Sequence, residues 1–327
     1  MKNRLVQIAL SLALLVLLIQ MVLIAPSQIR DAEDKAALIP APQMETGNEI
    51  DQSIQGMHMI ETQEGKKEWE LWADQAMSLK AKDILELTAV KSLFFSDSGV
   101  TFKVTGEKGR VQVKSKDMRV EGNVVIRSSN GYTFRTPVAE YTSQTRQLMA
   151  PENVEMLGPK DGKGYSLRLT GKGMEASLEN STMEVLSEVK AEKTIDEGRK
   201  AFIRSHRAVF SGKNRIARFR GNVVLDMDNM RITGPEAHFL WDPEREAVKS
   251  VEFVGGAKVS DTEKWATARN VRVDFDTNRL VFKGSPRVVQ NNDELHGEEI
   301  IFIDGGKQVQ VKSARAKVDQ KTLEEKE

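Results

Sequence analysis

A short segment that returns along the chain constrains its architecture more than any other feature. VEGNVVI, from Val120 to Ile126, comes back as FRGNVVL, from Phe219 to Leu225, and self-similarity at a fixed spacing marks an array of stacked supersecondary units. Weaker copies are FVGGAKV (253–259), FKGSPRV (282–288), APENVEM (150–156) and VLSEVKA (185–191). With Gly122, Glu152, Ser187, Gly221, Gly255 and Gly284 taken as equivalent, the steps are 30, 35, 34, 34 and 29 residues. Thr88, in LELTAVKSL, lies a further 34 before Gly122, and Ser313, in VKSARAK, begins a truncated last copy. A second element alternates with the first: YTFRTPVAEY (132–141), MRITGPEAHF (230–239) and KWATARNVRVDF (264–275). Each unit therefore holds two strands. DPERE from Asp242, DTNR from Asp276 and DGGK from Asp304 supply the residues that favour chain reversal after the second element.

Residue parity fixes the secondary structure. Phe219, Gly221, Val223, Leu225 and Met227 share one parity, and Arg218, Arg220, Asn222, Asp226 and Asp228 the other, with Val224 the exception; that is a strand with one buried face. Val120, Gly122, Val124 and Ile126 stand against Arg119, Glu121, Asn123 and Arg127, and Val271, Val273 and Phe275 against Arg272, Asp274 and Asp276. The glycines fall on the apolar parity, where a missing side chain permits a bend, so strands that bend there pass from one sheet to a facing one. The fold class expected is all-β: an elongated jellyroll of stacked two-strand repeats around an apolar interior. About eight such units, at about 4.8 Å per strand, make a body on the order of 75 Å long with two open ends. Open edges must be covered, charged or used, and using them means adding a partner strand.

The amino-terminal region departs from this pattern. Leu5 to Ala25 is apolar apart from Gln7, Ser11 and Gln20, and at about 1.5 Å per residue it matches one bilayer crossing as a helix. A cleaved signal peptide has a shorter apolar region and small residues before the cut, whereas Ala25 has Leu23 two residues before it; a retained anchor is expected. Lys2 and Arg4 precede the span, which leaves the short N-terminus in the cytoplasm and the bulk of the chain outside the inner face. Ala32 to Asn48, with Pro40, Pro42 and Gly47, lacks apolar periodicity and has the composition of a tether.

Composition narrows the chemistry. The 48 basic residues cancel the 48 acidic ones, so no excess positive charge draws the chain to nucleic acid. Cysteine is absent, and the four histidines, His58, His206, His238 and His296, have no zinc-like spacing. GPKDGKG (158–164) departs from a phosphate loop in its spacing and lacks Ser or Thr after its last lysine, which makes it a hairpin loop. Asp226 and Asp228 in DMDN lack the later glycine and glutamate of a calcium loop and fall on the polar parity. No serine occurs in a G-x-S-x-G context. Neither an enzyme nor a cofactor or metal is expected.

One N-terminal anchor, a short tether, and OstA-type repeats carrying VEGNVV, FRGNVVLDMDNMRITGPEAHF and ATARNVRVDFDTNRLVFKG together resemble the lipopolysaccharide transport proteins LptC and LptA. The portion to about residue 190 resembles LptC, and that from about 200 to 318 resembles LptA. The chain is longer than one LptC-like domain, which leaves two arrangements, a fusion of both components or an extended LptC. The domains expected are a cytoplasmic N-terminus (1–4), a transmembrane anchor (5–25), a periplasmic tether (26–50), an LptC-like jellyroll (51–192), an LptA-like jellyroll continuing the stack (193–318) and a polar tail (319–327). The resemblance implies an inner-membrane, single-pass protein in the periplasm that receives lipopolysaccharide from an ABC transporter. It further implies delivery to an LptA-like bridge or outer-membrane translocon by edge-strand addition, with lipid A acyl chains inside the β body.

Inward apolar residues are ordinarily core, but aromatics recur along the length, and a body left slightly open forms a continuous trough suited to acyl chains. The candidate lipid-binding residues are Val120, Val124, Ile126, Phe134, Leu167, Phe219, Val223, Leu225, Phe239, Trp241, Phe253, Val273, Phe275 and Phe282. The alternative from another class is a membrane-anchored structural or adhesive β-repeat scaffold with a solid core and no lipid transport.

Overall fold

The computed structural model describes residues 52–79, 83–164, 166–196, 199–211, 216–242 and 247–317. The expected anchor (5–25), tether (26–50) and tail (319–327) lie outside the described residues. Among the described residues no helix is long and apolar enough to cross a membrane.

Among the described residues nine long strands come first: β1 (Gln52–Gln63), β2 (Lys66–Leu79), β3 (Ile84–Phe95), β4 (Thr101–Gln112), β5 (Met118–Ser128), β6 (Thr133–Thr142), β7 (Gln147–Lys160), β8 (Ser166–Ser177) and β9 (Thr182–Asp196). They are followed by β10 (Arg199–Ser205), β11 (Arg207–Ser211), β12 (Ile216–Met227), β13 (Met230–Asp242), β14 (Ala247–Val254), β15 (Ala257–Ser260), β16 (Lys264–Ala268) and β17 (Asn270–Asp274). The series ends with β18 (Arg279–Lys283), β19 (Arg287–Gln290), β20 (Asp293–His296), β21 (Glu299–Ile303), β22 (Gln308–Lys312) and β23 (Arg315–Lys317). All pairings are antiparallel, and each crossing of the chain pairs with the next.

A corner divides the crossings, and each half pairs with the like half of its neighbour. In β12, Ile216–Arg220 pairs with β11 whereas Val224–Met227 pairs with β10. In β13, Arg231–Thr233 pairs with β15, and Glu236–Asp242 with β14. From there two ladders run side by side to the end. The first wing continues through β15, β16, β19, β20 and β23, and the second through β14, β17, β18, β21 and β22. The ladder also continues from β9 to β10 and β11, so the stack passes without a break from the first half of the chain to the second.

The repeat segment is this corner. Gly122 and Gly221 take φ of 81° and 79°, and the asparagines after them, Asn123 and Asn222, 46° and 50°. The following position of other copies is also left-handed: Ala89 at 53°, Glu188 at 54°, Gly256 at 105° and Ser285 at 58°. Glycine and asparagine bear that conformation at least cost, and two such residues shift the register between Arg220 and Val223 against β13. The second element carries the partner corner. It stays whole in β13 but splits at Arg269 into β16 and β17, and β6 slips its register against β7 between Arg135 and Glu140, around Pro137. The expected turns stand at Asn278 (φ 48°) and in the 3₁₀ turn Asp304–Gly306, while the one after Asp242 falls outside the described residues.

The apolar parity expected from sequence faces inward on both sides of each corner. Val120, Val124 and Ile126 of β5, and Phe219, Val223, Leu225 and Met227 of β12, are buried. They belong to one core cluster that runs from Trp69 to Ile300. GPKDGKG forms the β7–β8 hairpin, and Asp226 pairs with Arg231 (2.5 Å) and Arg204 (3.3 Å).

Candidate functional site

Two wings hinged along a row of corners leave an opening opposite the hinge, and there the described residues enclose a cleft of about 1970 Å³. Sites for drug-sized ligands hold roughly 300–1,000 Å³, so this one has room for something larger. Its first-wing wall carries Ile203, Leu225, Val259, Ala266 and Val288; the second-wing wall carries Phe219, Phe239, Val251, Val273 and Phe282. The aromatic rings pack edge to face: Phe219 lies 5.0 Å from Phe239 and 6.1 Å from Phe210, and Phe282 lies 5.7 Å from Phe302. That contact fixes the wall without filling the space between the wings.

The rims are polar because they are turns. Ser96–Ser98, Asn130, Asp161–Lys163, Asp228 and Asp261 line the first rim, and Glu179–Thr182, Asp274–Asp276 and Arg279 the second. Carboxylates there are paired: Lys193 with Asp161 (2.5 Å), Arg199 with Asp228 (2.6 Å) and Arg272 with Asp274 (3.3 Å). The hydrogen bond from Arg199 holds the Asp228 carboxyl below the usual carboxylate range. Burial pushes Asp274 up, but hydrogen bonds from Thr277 and the charge of Arg272 outweigh it and leave that carboxyl lowered. Burial also raises the Tyr132 hydroxyl, which lies on the cleft beside Phe134. An apolar trough between polar lips suits an amphiphile, whose chains leave water while its head group stays at the lip.

The candidate lipid-binding residues divide between two environments. Phe134, Leu167, Phe219, Leu225, Phe239, Trp241, Val273, Phe275 and Phe282 line the cleft. Val120, Val124, Ile126, Val223 and Phe253 are buried in the closed core and do not line it. For Val120 and Val223 the reason is local geometry: Val120 packs against Gly106, at the register shift of β4, and Val223 adjoins the corner at Gly221 and Asn222, where the wings are too close to leave space. Asp274, on the polar parity, nonetheless reaches the rim of the cleft, because its strand ends there. Sequence reasoning passed over Tyr132, Ile203, Phe210, Val248 and Phe302, all on the cleft. Parity marks Ile203, which alternates with Arg204 and shares its face with Ala201 and Ser205; nothing local marks Val248.

Comparison with known families assigns this architecture. The family described as lipopolysaccharide-assembly, LptC-related, matches residues 12–194, more than half of the 327-residue chain. The chain belongs to the LptC-related family. The LptA/(LptD N-terminal domain) LPS transport protein family matches residues 202–309, so this LptC-related chain carries an LptA-like region after its LptC region. Among solved structures it is similar to LptH of Pseudomonas aeruginosa, the LptA homologous periplasmic component of the lipopolysaccharide transport device. The identity is 17%, with a TM-score of 0.34, over 36% of this chain and 94% of that one. No curated protein matches the chain.

Proposed function

We propose that the chain is an inner-membrane-anchored periplasmic component of lipopolysaccharide transport that carries lipid A acyl chains in the cleft between its wings. The cleft carries this reading: it is apolar within, polar at the lips and continuous along the LptA-like region. Burying ten methylenes at about 0.8 kcal/mol each gives roughly 8 kcal/mol, enough to hold a chain away from water. Such binding has no direction of its own, so net movement needs a partner that spends energy, and we assign that role to an ABC transporter in the inner membrane. The residues 5–25 serve as the anchor, and the 51–192 and 193–318 regions as one continuous path rather than two bodies.

The two ends of the sheet suit partners. β1 pairs with β2 on one side, and β22 and β23 pair with β21 and β20; beyond them no further strand follows among the described residues. Strand addition at β1 joins the chain to the transporter side, and addition at β22 and β23 joins it to an LptA-like bridge or the outer-membrane translocon.

A photo-crosslinking residue at Phe275 in living cells tests the path, with Arg220 on the outer face as control. Lipopolysaccharide attached at Phe275 and not at Arg220 is the expected result. Equal attachment at both, or none at Phe275 in a folded and expressed protein, rejects it in favour of a solid scaffold.

A further inference from the structure

The cleft does not run the length of the sheet. Its amino-terminal limit is the turn Ser96–Ser98, although the same inward face continues beyond it through Trp69, Leu71, Phe94 and Leu148, all buried. At that limit one side chain crosses from rim to rim. Arg146 ends the β6–β7 turn on the second rim. Its Nη1 donates to Asp97 Oδ1 at 2.9 Å, its Nη2 to the Phe95 carbonyl at 3.1 Å, and its Nε lies 2.6 Å from Glu68 Oε2, all on the first rim. The backbone closes the same place: the Asp97 amide donates to the Leu178 carbonyl at 3.2 Å, and the Leu178 amide to the Arg146 carbonyl at 3.0 Å.

We infer that Arg146 is a positioning residue that clasps the two rims together and thereby sets where the lipid path ends, and that releasing it extends the path toward β1. The inference rests on the lipid reading of the cleft. Three features support it. A largely buried ion pair is a weak source of net stability, because desolvation cancels most of its attraction, so packing alone gives no reason to place charge where apolar side chains would close the gap. Glu68 is buried, and the indole Nε1 of Trp69 beside it has no hydrogen-bond partner, so the layer under the clasp is less completely satisfied than a permanent core. Beside the one backbone bond between Asp97 and Leu178, the side-chain bonds that join the rims at this limit converge on one guanidinium, whereas the walls on either side are continuous ladders.

The test uses the full chain and a palmitate carrying a photoactivatable diazirine on its acyl chain, with adducts mapped to peptides. In the unaltered protein, adducts fall on cleft peptides such as those of Phe239 and Phe282 and stop at Ser96. Arg146→Met keeps length and removes the fork; adducts in the Trp69–Leu71 and Phe94 peptides then rise about tenfold, the change expected for a loss of about 1.4 kcal/mol, while those at Phe239 stay as they were. Asp97→Asn, which retains the Arg146–Glu68 pair, gives a smaller rise and carries the test if Arg146→Met does not fold. An unchanged adduct map in both variants overturns the clasp and leaves the cleft standing. No adduct at Phe239 in the unaltered protein overturns the lipid reading, and the clasp with it.

Discussion

Gly221 and Asn222 do at residue scale what the whole architecture depends on. Gly221 has φ of 79°, and a Cβ there would stand 2.8 Å from the His206 ring nitrogen. Gly221→Ala therefore adds left-handed strain of about 1–2 kcal/mol to a displaced imidazole, and the urea midpoint falls accordingly. Gly158→Ala, at a position with ordinary backbone whose new Cβ would meet nothing nearer than 3.6 Å, leaves the midpoint nearly unchanged. Ionisable groups set the pH limits. Arg231 hydrogen-bonds Asp226 and holds its carboxyl below the ordinary value, as Arg199 does for Asp228. A lowered carboxylate stabilises the fold above its unfolded pKa of about 4 and loses that contribution as pH falls through the folded value. The urea midpoint accordingly drops on acidification below about pH 4, and less steeply in Arg231→Gln. At the other extreme burial, helped by the charge of Glu68, pushes the Tyr141 hydroxyl up to about 12. A raised group gives full stability below its unfolded pKa of about 10 and loses it as pH climbs toward the folded one. Ultraviolet titration then finds Tyr141 ionising late, as Tyr132 also does, and the ionisation of Tyr141 comes together with loss of the amino-terminal wings.

At the scale of the strand, parity places the inward side chains of the three strands where it is cleanest, β5, β12 and β17. Alternation survives the corner because the two left-handed residues leave Phe219, Val223 and Leu225 on one face. The repeat also told where the corners lie, except in APENVEM, where neither Glu152 nor Asn153 is left-handed although β7 still slips its register against β8 there. Parity does not separate closed core from open cleft, because that depends on how far the wings stand apart, and the spacing is set by contacts between turns distant in sequence, such as Arg146 with Asp97. Phe253 and Phe275 show the difference: both share the apolar parity, yet Phe253 is fully buried away from the cleft and Phe275 is half-buried on it. Phe253→Ala costs roughly 3–5 kcal/mol in unfolding measurements, and Phe275→Ala less than about 2 kcal/mol. A charge at Val223 consequently tests folding rather than lipid contact.

For the whole molecule, the sequence repeat carries the stack and the expectation of an apolar trough, while the extent of the cleft, from Ser96 to the carboxy-terminal strands, follows from how the two ladders stand apart in space. Continuity of those ladders from the LptC region into the LptA-like one supports a single path through both. The proposed transport requires acyl chains in the space between the wings, and filling that space probes it most directly. Leu225 and Val273 face the cleft from opposite walls, so Leu225→Trp with Val273→Trp narrows it while the outer surface stays unaltered. Lipid extracted from the mildly purified full chain is the measurement, read beside the circular dichroism of each protein. Lipopolysaccharide bound to the unaltered chain and lost from the folded double variant is the predicted result; equal lipid on both, or lipid on neither, contradicts the account.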